Sequence, residues 1–365
     1  MMAALLNRRA LLAAAGTGLL AWIGAPRALA GPGRKAAFAA AYKDRDGRFG
    51  IALIAGDGAI HARIALPDRG HDIACDRAAR RAVAFARRPG YFAVVFDLDR
   101  RAEAVTLQAA PGRHFFGHGV FSPDGRLLYA TENDFEAARG LIGVYDATDG
   151  FRRVGEFDTH GMDPHELLLM PDGRTLAVAN GGIETHPDFG RAKLNLATMR
   201  PSLVFLDRLH GTLVETHRLA ADLYQLSIRH MAVDGSGRCW FGCQYEGPRG
   251  DVPPLVGLAR PGDAIRLLDL PGEAWAGFGN YVGSVACNPT ADRVAVTSPR
   301  GNLLATFDAA SGRLVRRQRL EEVCGLAAQA DGFFATTGTG AIRPANGKPE
   351  HADLVWDNHV LRLDG

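Results

Sequence analysis

The sequence predicts an all-β fold: a seven-bladed β-propeller closed by strands from both termini. Three observations predict it. A unit of about four short apolar strands recurs through the chain, with first strands beginning near residues 71, 118, 165, 230, 284 and 325. Polar turns such as Pro123-Asp124-Gly125 and Pro171-Asp172-Gly173 separate the first two strands of these units. The segments before the first full unit and after the last hold complementary parts of one more. No helical apolar period competes with this pattern in residues 31–365.

The first thirty residues read as a removable export signal. Arg8 and Arg9 form a positive start, Leu11 to Ile23 an uncharged and mostly apolar run, and Ala28-Leu29-Ala30 a small-residue cleavage site. The apolar run is too short to span a membrane, and no later segment reaches the length a span needs. Asn7-Arg8-Arg9-Ala10-Leu11-Leu12 resembles the twin-arginine kind of signal. The expectation is a periplasmic protein, exported by the twin-arginine route, with residues 31–365 as one domain. That route carries proteins already folded, often with a cofactor in place.

Residues 34–42, 51–55 and 60–66 align with the second, third and fourth strands of a unit that lacks its first. Six full units follow. Their third strands end on an aromatic or leucine plus aspartate: Phe96-Asp97, Tyr145-Asp146, Leu206-Asp207, Phe307-Asp308 and Trp356-Asp357. Turns such as Thr148-Asp149-Gly150 then lead into fourth strands. At the C-terminus, residues 359–365 follow the first-strand pattern and would complete the opening unit. Closure of this kind hides the sheet edges. The alternative is that residues 359–363 form the outer strand of the last blade.

The 365-residue chain has 42 basic and 40 acidic side chains. Loss of the signal removes Arg8, Arg9 and Arg27, leaving 39 basic side chains against 40 acidic. That balance gives no electrostatic reason to expect nucleic acid or an anionic membrane surface. Five cysteines, Cys75, Cys239, Cys243, Cys287 and Cys324, sit mostly in apolar strand patterns and read as small buried hydrophobes. Their spacing gives no structural zinc site.

In a propeller the first strand of each blade lines the central channel. His71, His118 and His230 share one slot at the start of their first strands. His359 falls in or next to that slot in the closing strand, Glu166 fills it in another unit with His165 just before, and Ser284 and Gly325 fill the other two. Repetition in register would bring these groups to one depth on one axis. His71, His118, His165, Glu166, His230 and His359 are therefore candidate ligands for a divalent transition metal, iron or copper foremost. The alternative is a water-filled channel with a histidine-rich wall.

Long loops at residues 181–201, 244–253 and 338–352 are predicted between strands two and three of their blades, on the face that holds the histidines. Asn133, Asn180, His186, Arg229, Ser284, Trp356 and Asn358 are supporting or loop candidates. The chain lacks a G-x-S-x-G elbow, a P-loop, a C-x-x-C-H haem attachment and an H-E-x-x-H motif. No Ser, Cys or Thr is recognisably paired with a base, so the residues do not point to an enzyme.

Pro164-His165-Glu166-Leu167, Asn180-Gly181-Gly182-Ile183-Glu184-Thr185-His186-Pro187-Asp188, Ser227-Ile228-Arg229-His230 and Trp356-Asp357-Asn358-His359 carry a resemblance. They resemble an uncharacterised family of twin-arginine-exported periplasmic propellers, a domain of unknown function. Genes of that family tend to accompany those of imelysin-type iron-regulated proteins. The resemblance covers the chain after the signal. It implies a metal-linked periplasmic role and an imelysin-type iron-handling partner, and carries no catalytic residue.

Three readings follow. The first is a metal-binding propeller in iron or copper acquisition or handling. The second is a metal-dependent hydrolase of the propeller lactonase type, in which the oxygens of Glu166, Asn133, Asp134 and Asn180 would matter more than the imidazoles. The third is a protein-interaction scaffold.

Overall fold

The computed structural model describes residues 35–99, 104–330 and 332–363. The expected export segment lies outside these described residues. Seven four-stranded antiparallel sheets form the seven blades of a β-propeller.

Blade 1 closes the ring. Its strands, from the channel outwards, are Leu354–Arg362, Ala36–Asp44, Phe49–Ala55 and Ile60–Leu66. The closing strand pairs antiparallel with the first, setting Leu361 opposite Ala39 and Trp356 opposite Tyr42. The alternative placement of residues 359–363 is thereby excluded, because blade 7 has its own outer strand at Glu350–His351. The inner strands of blades 2 to 7 are Gly70–Asp76, Arg113–Phe121, Pro164–Leu169, Leu226–Val233, Ser284–Cys287 and Val323–Gln329.

Two details of the sequence reading need correction. Trp356-Asp357 does not end a third strand but lies within the closing strand. Asp357 turns no hairpin and is instead held by two guanidiniums, of Arg69 and Arg87, and the His71 imidazole. The segment 338–352 is not a loop between strands two and three. It carries the third and fourth strands of blade 7, Ala341–Arg343 and Glu350–His351. These strands are too short and too polar to stand out in the sequence.

Packing between blades explains the sequence texture. Middle strands are covered by neighbouring blades on both faces, so they read as unbroken apolar runs rather than alternating ones. Leu176 to Ala179 in blade 4 and Ala82 to Ala86 in blade 2 are all buried completely. The outer strand Arg152–Asp158 alternates instead, one face half-buried and one exposed. Aromatic contacts tie blades together. Phe38 of blade 1 stacks on Phe334 of blade 7 with ring centroids 4.0 Å apart, which seals the closure. Trp240 of blade 5 meets Phe307 of blade 6 at 5.9 Å.

All five cysteines are free, and Cys239, Cys243 and Cys324 are buried in the core. Burial pushes the Cys324 thiol up to about 12 and that of Cys287 to about 11. Thiols held this far from ionisation are poor nucleophiles. A reductant is therefore expected to leave the melting temperature unchanged. Alkylation of Cys239, Cys243 and Cys324, followed by mass spectrometry, is expected only once the chain unfolds. A lower melting temperature in dithiothreitol would contradict the assignment.

Candidate metal centre

The residues that matter most sit where the inner strands depart from regular pairing. In blade 2 the register slips between Gly70 and Ile73, in blade 3 between Phe115 and Gly119, in blade 4 between Pro164 and Glu166, and in blade 5 between Ile228 and His230. The closing strand slips between Trp356 and Val360. A bulge inserts unpaired residues, bends the strand and re-aims a side chain. His71, His118, His165 and His359 lie within these bulged stretches, and His230 at the edge of one. Gly117 has φ +107, and a Cβ there would stand 2.6 Å from Cδ2 of His71. Glycine at 117 thus leaves the space that the neighbouring imidazole fills.

Five imidazoles meet on the axis. Ring centroids are 4.6 Å apart for His71 and His359, 4.7 Å for His118 and His359, 4.8 Å for His165 and His230, and 4.8 Å for His230 and His359. His118 lies 4.9 Å from His71 and 5.2 Å from His165. Two overlapping trios, His71–His118–His359 and His118–His165–His230, each bring one ring nitrogen per residue within 4.8 Å of the others. Nitrogens bound about 2.1 Å from one ion lie at most about 4.2 Å apart. Three nitrogens spread evenly around the ion lie only about 3.4–3.6 Å apart, so a pair at the 4.8 Å limit must close by about an ångström or more to hold one. His118 belongs to both trios.

Three carboxyl groups back the ring. Nδ1 of His71 lies 2.8 Å from Oδ1 of Asp357, Nδ1 of His118 lies 3.0 Å from Oδ2 of Asp72, and Nδ1 of His230 lies 3.3 Å from Oε2 of Glu166. An ionised carboxylate only accepts, so Nδ1 of His71 and of His118 carries the hydrogen and leaves the Nε2 lone pair free. Nε2 of His118, His165, His230 and His359 is buried without a hydrogen-bond partner. His165 differs. Its Nδ1 lies 3.1 Å from a guanidinium nitrogen of Arg229, which can only donate. The neutral His165 ring therefore carries its hydrogen on Nε2.

The electrostatics favour neutral imidazoles over charged backing groups. Burial lowers the pKa of His71 to about 4, against the opposing pull of Asp357. Burial, with the neighbouring cationic groups, holds His165, His230 and His359 well below the usual histidine range. Asp357 is buried, which opposes ionisation, but Arg87, His71 and Arg69 outweigh this and hold it well below the usual carboxylate range. For Asp72 burial is likewise outweighed, by His118 and His359, and its pKa falls to about 2. Glu166 goes the other way: burial and the nearby Asp72 raise it well above its ordinary value.

A model of the DUF1513 family, described as protein of unknown function, matches residues 64–363. The chain belongs to this family. The matched span contains all five ring histidines, so the site is inside the DUF1513 domain. No curated protein is significantly similar to the chain. Among solved structures the chain is similar to one described as hydrazine synthase from Kuenenia stuttgartiensis. They share 15% identity and a TM-score of 0.60, covering 87% of this chain and 96% of that one. It is also similar to the β-propeller domain of Cps50 (Swd1) from Myceliophteria thermophila. There the identity is 13% and the TM-score 0.53, covering 83% of this chain and 93% of the other. At such identities the likeness is one of fold.

The other candidates of the DUF1513 domain fall into distinct places. Glu166 does not join the ring but stands behind His230, where its carboxyl also accepts from the backbone N–H of Met231 at 3.1 Å. Arg229 bridges His165 and Asp163. Asn358 lies beside the ring and donates to the Tyr281 hydroxyl at 3.2 Å. Ser284, with Asp72, Glu166 and His359, lines a channel cavity of about 620 Å³ on one side of the ring.

Trp356 is core, its indole N–H directed at the carbonyl of Gly340. Asn133 and Asn180 are not at the axis. Asn133 contacts Nε2 of His114 and the carbonyl of Thr185, while Asn180 donates to the carbonyl of Thr159 and to Ser202. Asp134 is taken by Arg113 and Arg139. The oxygen set expected for a lactonase-like site is thus dispersed among structural partners. His186 caps a short 3₁₀ turn in the loop and stands outside the ring.

Sequence reasoning missed Asp72 and Asp357 as partners of the ring, and Arg87 with them. Each is adjacent in sequence to something legible: Asp72 follows His71, and Asp357 precedes Asn358-His359. A carboxylate one or two residues from His71, His165 and His359 was the available signal.

Proposed function

We propose that the protein is an exported metal-binding propeller. Its axial histidines His71, His118, His230 and His359 hold a divalent transition metal ion, in the service of iron or copper handling. The observation that carries this reading is the set of buried Nε2 atoms on His118, His230 and His359 that meet no partner within the protein. Buried polar atoms left unpaired are unfavourable, and native proteins keep them only for a reason. Imidazoles backed by carboxylates are a common metal-site arrangement, and an all-imidazole inner set suits copper, iron, nickel or zinc. The expected partner, an imelysin-type iron-handling protein, rests on the family resemblance alone.

Metal content is the test. Protein purified from the periplasm, then stripped and reloaded with iron, copper, nickel or zinc, is expected to retain about one equivalent of one of these after desalting. The His118→Ala/His230→Ala variant is expected to retain none. If the wild-type protein is metal-free after loading, the reading fails.

A further inference from the structure

On the other side of the histidine ring the channel opens into a second cavity of about 180 Å³. Loops and strand ends after the second strands of blades 2, 4, 5 and 6 build its wall. Six basic side chains line it: Arg87, Arg88, Arg191, Lys193, Arg229 and Arg300. The one carboxylate in the lining is Glu246, and it pairs with Lys193.

The carboxylates behind the wall do not balance the rest. Asp357 is shared by Arg87 at 2.9 Å, Arg69 at 2.7 Å and His71. Asp163 is shared by Arg229 at 3.0 Å and Arg88 at 3.9 Å. Among the described residues Arg191 and Arg300 pair with no carboxylate, and Arg300 instead lies 4.5 Å over the Tyr281 ring. The guanidiniums also repel one another. Burial together with Arg87, Arg88 and Arg69 draws the Arg191 pKa down to about 10.

Specific donors are left over. Nε of Arg229 and Nη1 of Arg88 are buried with no hydrogen-bond partner, and the Arg229 side chain is only 4% exposed. The Nε2–H of His165, fixed by the Arg229 contact, is a third such donor. Unpaired donors and uncompensated cations around one cavity define the complement of an anion.

We propose that this cavity binds a small oxyanion with two or more negative charges, a dicarboxylate or a phosphate. Guanidiniums match the planar geometry of such oxygens, and the volume holds roughly six water-sized groups. Tyr281, Gln244 and Asn358 supply neutral polar contacts in the same wall. His71 and His165 line both the cavity and the ring, so a bound anion lies next to any ion on the axis. Binding does not require that ion, because the cationic excess belongs to the protein.

The test uses the full-length exported protein stripped of metal by chelation. Oxalate, inorganic phosphate and, as a monovalent control, chloride are titrated by calorimetry at low ionic strength. Saturable one-to-one binding of oxalate, of phosphate or of both, with chloride at least tenfold weaker, is expected. The tighter of the two identifies the ligand as carboxylate or phosphate. Arg191→Gln/Arg300→Gln removes two cations that support no ion pair, and circular dichroism is expected to find its fold intact. It is expected to weaken binding tenfold or more. Absence of saturable binding to the wild-type protein, or unchanged affinity in the folded variant, overturns the proposal. Metal content measured on the same preparations separates the two readings. Anion binding without metal retention sinks only the metal site, and metal retention without anion binding sinks only this one.

Discussion

Replacing His118 with alanine is expected to lower the affinity for a divalent transition metal by about a hundredfold or more. His118 is the member shared by both nitrogen trios, so its loss breaks each of them. Loss of a group that merely orients a ligand weakens metal sites by about 10–100-fold, and loss of a ligand itself sets the larger effect. Asp72, which holds Nδ1 of His118, marks the smaller one. Asp72→Asn is expected to weaken binding by about tenfold or more while leaving stoichiometry intact. His186→Ala, in the loop outside the ring, is expected to change nothing. Competition against a chromophoric chelator reads all three. Equal affinity in the wild type and His118→Ala would contradict the ring assignment.

The second large effect is acid lability. The metal-free protein is expected to lose several kcal/mol of stability between pH 6.5 and pH 4. In the unfolded chain His71 takes a proton near pH 6.5, whereas in the folded protein burial delays this to about pH 4. Across that window the unfolded state binds more protons, so stability rises with pH and falls as acid is added. His71 alone contributes about 3 kcal/mol over the interval. His165, His230 and His359 act in the same direction. Asp72 and Asp357, held below their ordinary values, keep their contribution above pH 4 and lose it below. Glu166 acts in the opposite sense, since its raised pKa means the folded state takes up a proton first. Asp163, raised by its burial, acts in the same sense as Glu166, and two such groups do not offset four imidazoles. Total stabilities are about 5–15 kcal/mol. Urea midpoints measured from pH 7 to pH 4.5 are therefore expected to fall steeply, and His165→Gln/His359→Gln to flatten the slope. A level profile in the wild type would contradict the burial of neutral imidazoles.

Much of the fold was legible because a propeller repeats. Blades 3 and 4 show an apolar run, a Pro-Asp-Gly turn and a second apolar run, blades 2 and 5 to 7 looser copies of it, and closure followed from a first unit without its inner strand. The blade 7 strands at Ala341–Arg343 and Glu350–His351 were not legible. They are held by pairing to a good neighbour rather than by their own residues. The histidines were legible as a register, since repetition carries side chains to a common depth. The bulges that turn them inward were not, because a bulge is a relation between two strands. Nor were the long-range partners. Arg87 and Arg69 meet Asp357 nearly the whole chain away in sequence, only because the ring closes there. The basic cavity escaped for a similar reason. Its cations come from four blades, no two of them forming a run except Arg87-Arg88.

Diffraction at the absorption edge of a bound metal tests the central claim most directly. Crystals of metal-loaded protein are expected to show one strong anomalous peak on the propeller axis. It should lie about 2.0–2.2 Å from ring nitrogens that include that of His118. A peak elsewhere, a peak ligated only by oxygens, or no peak from protein soaked in copper, nickel, zinc and iron would contradict it.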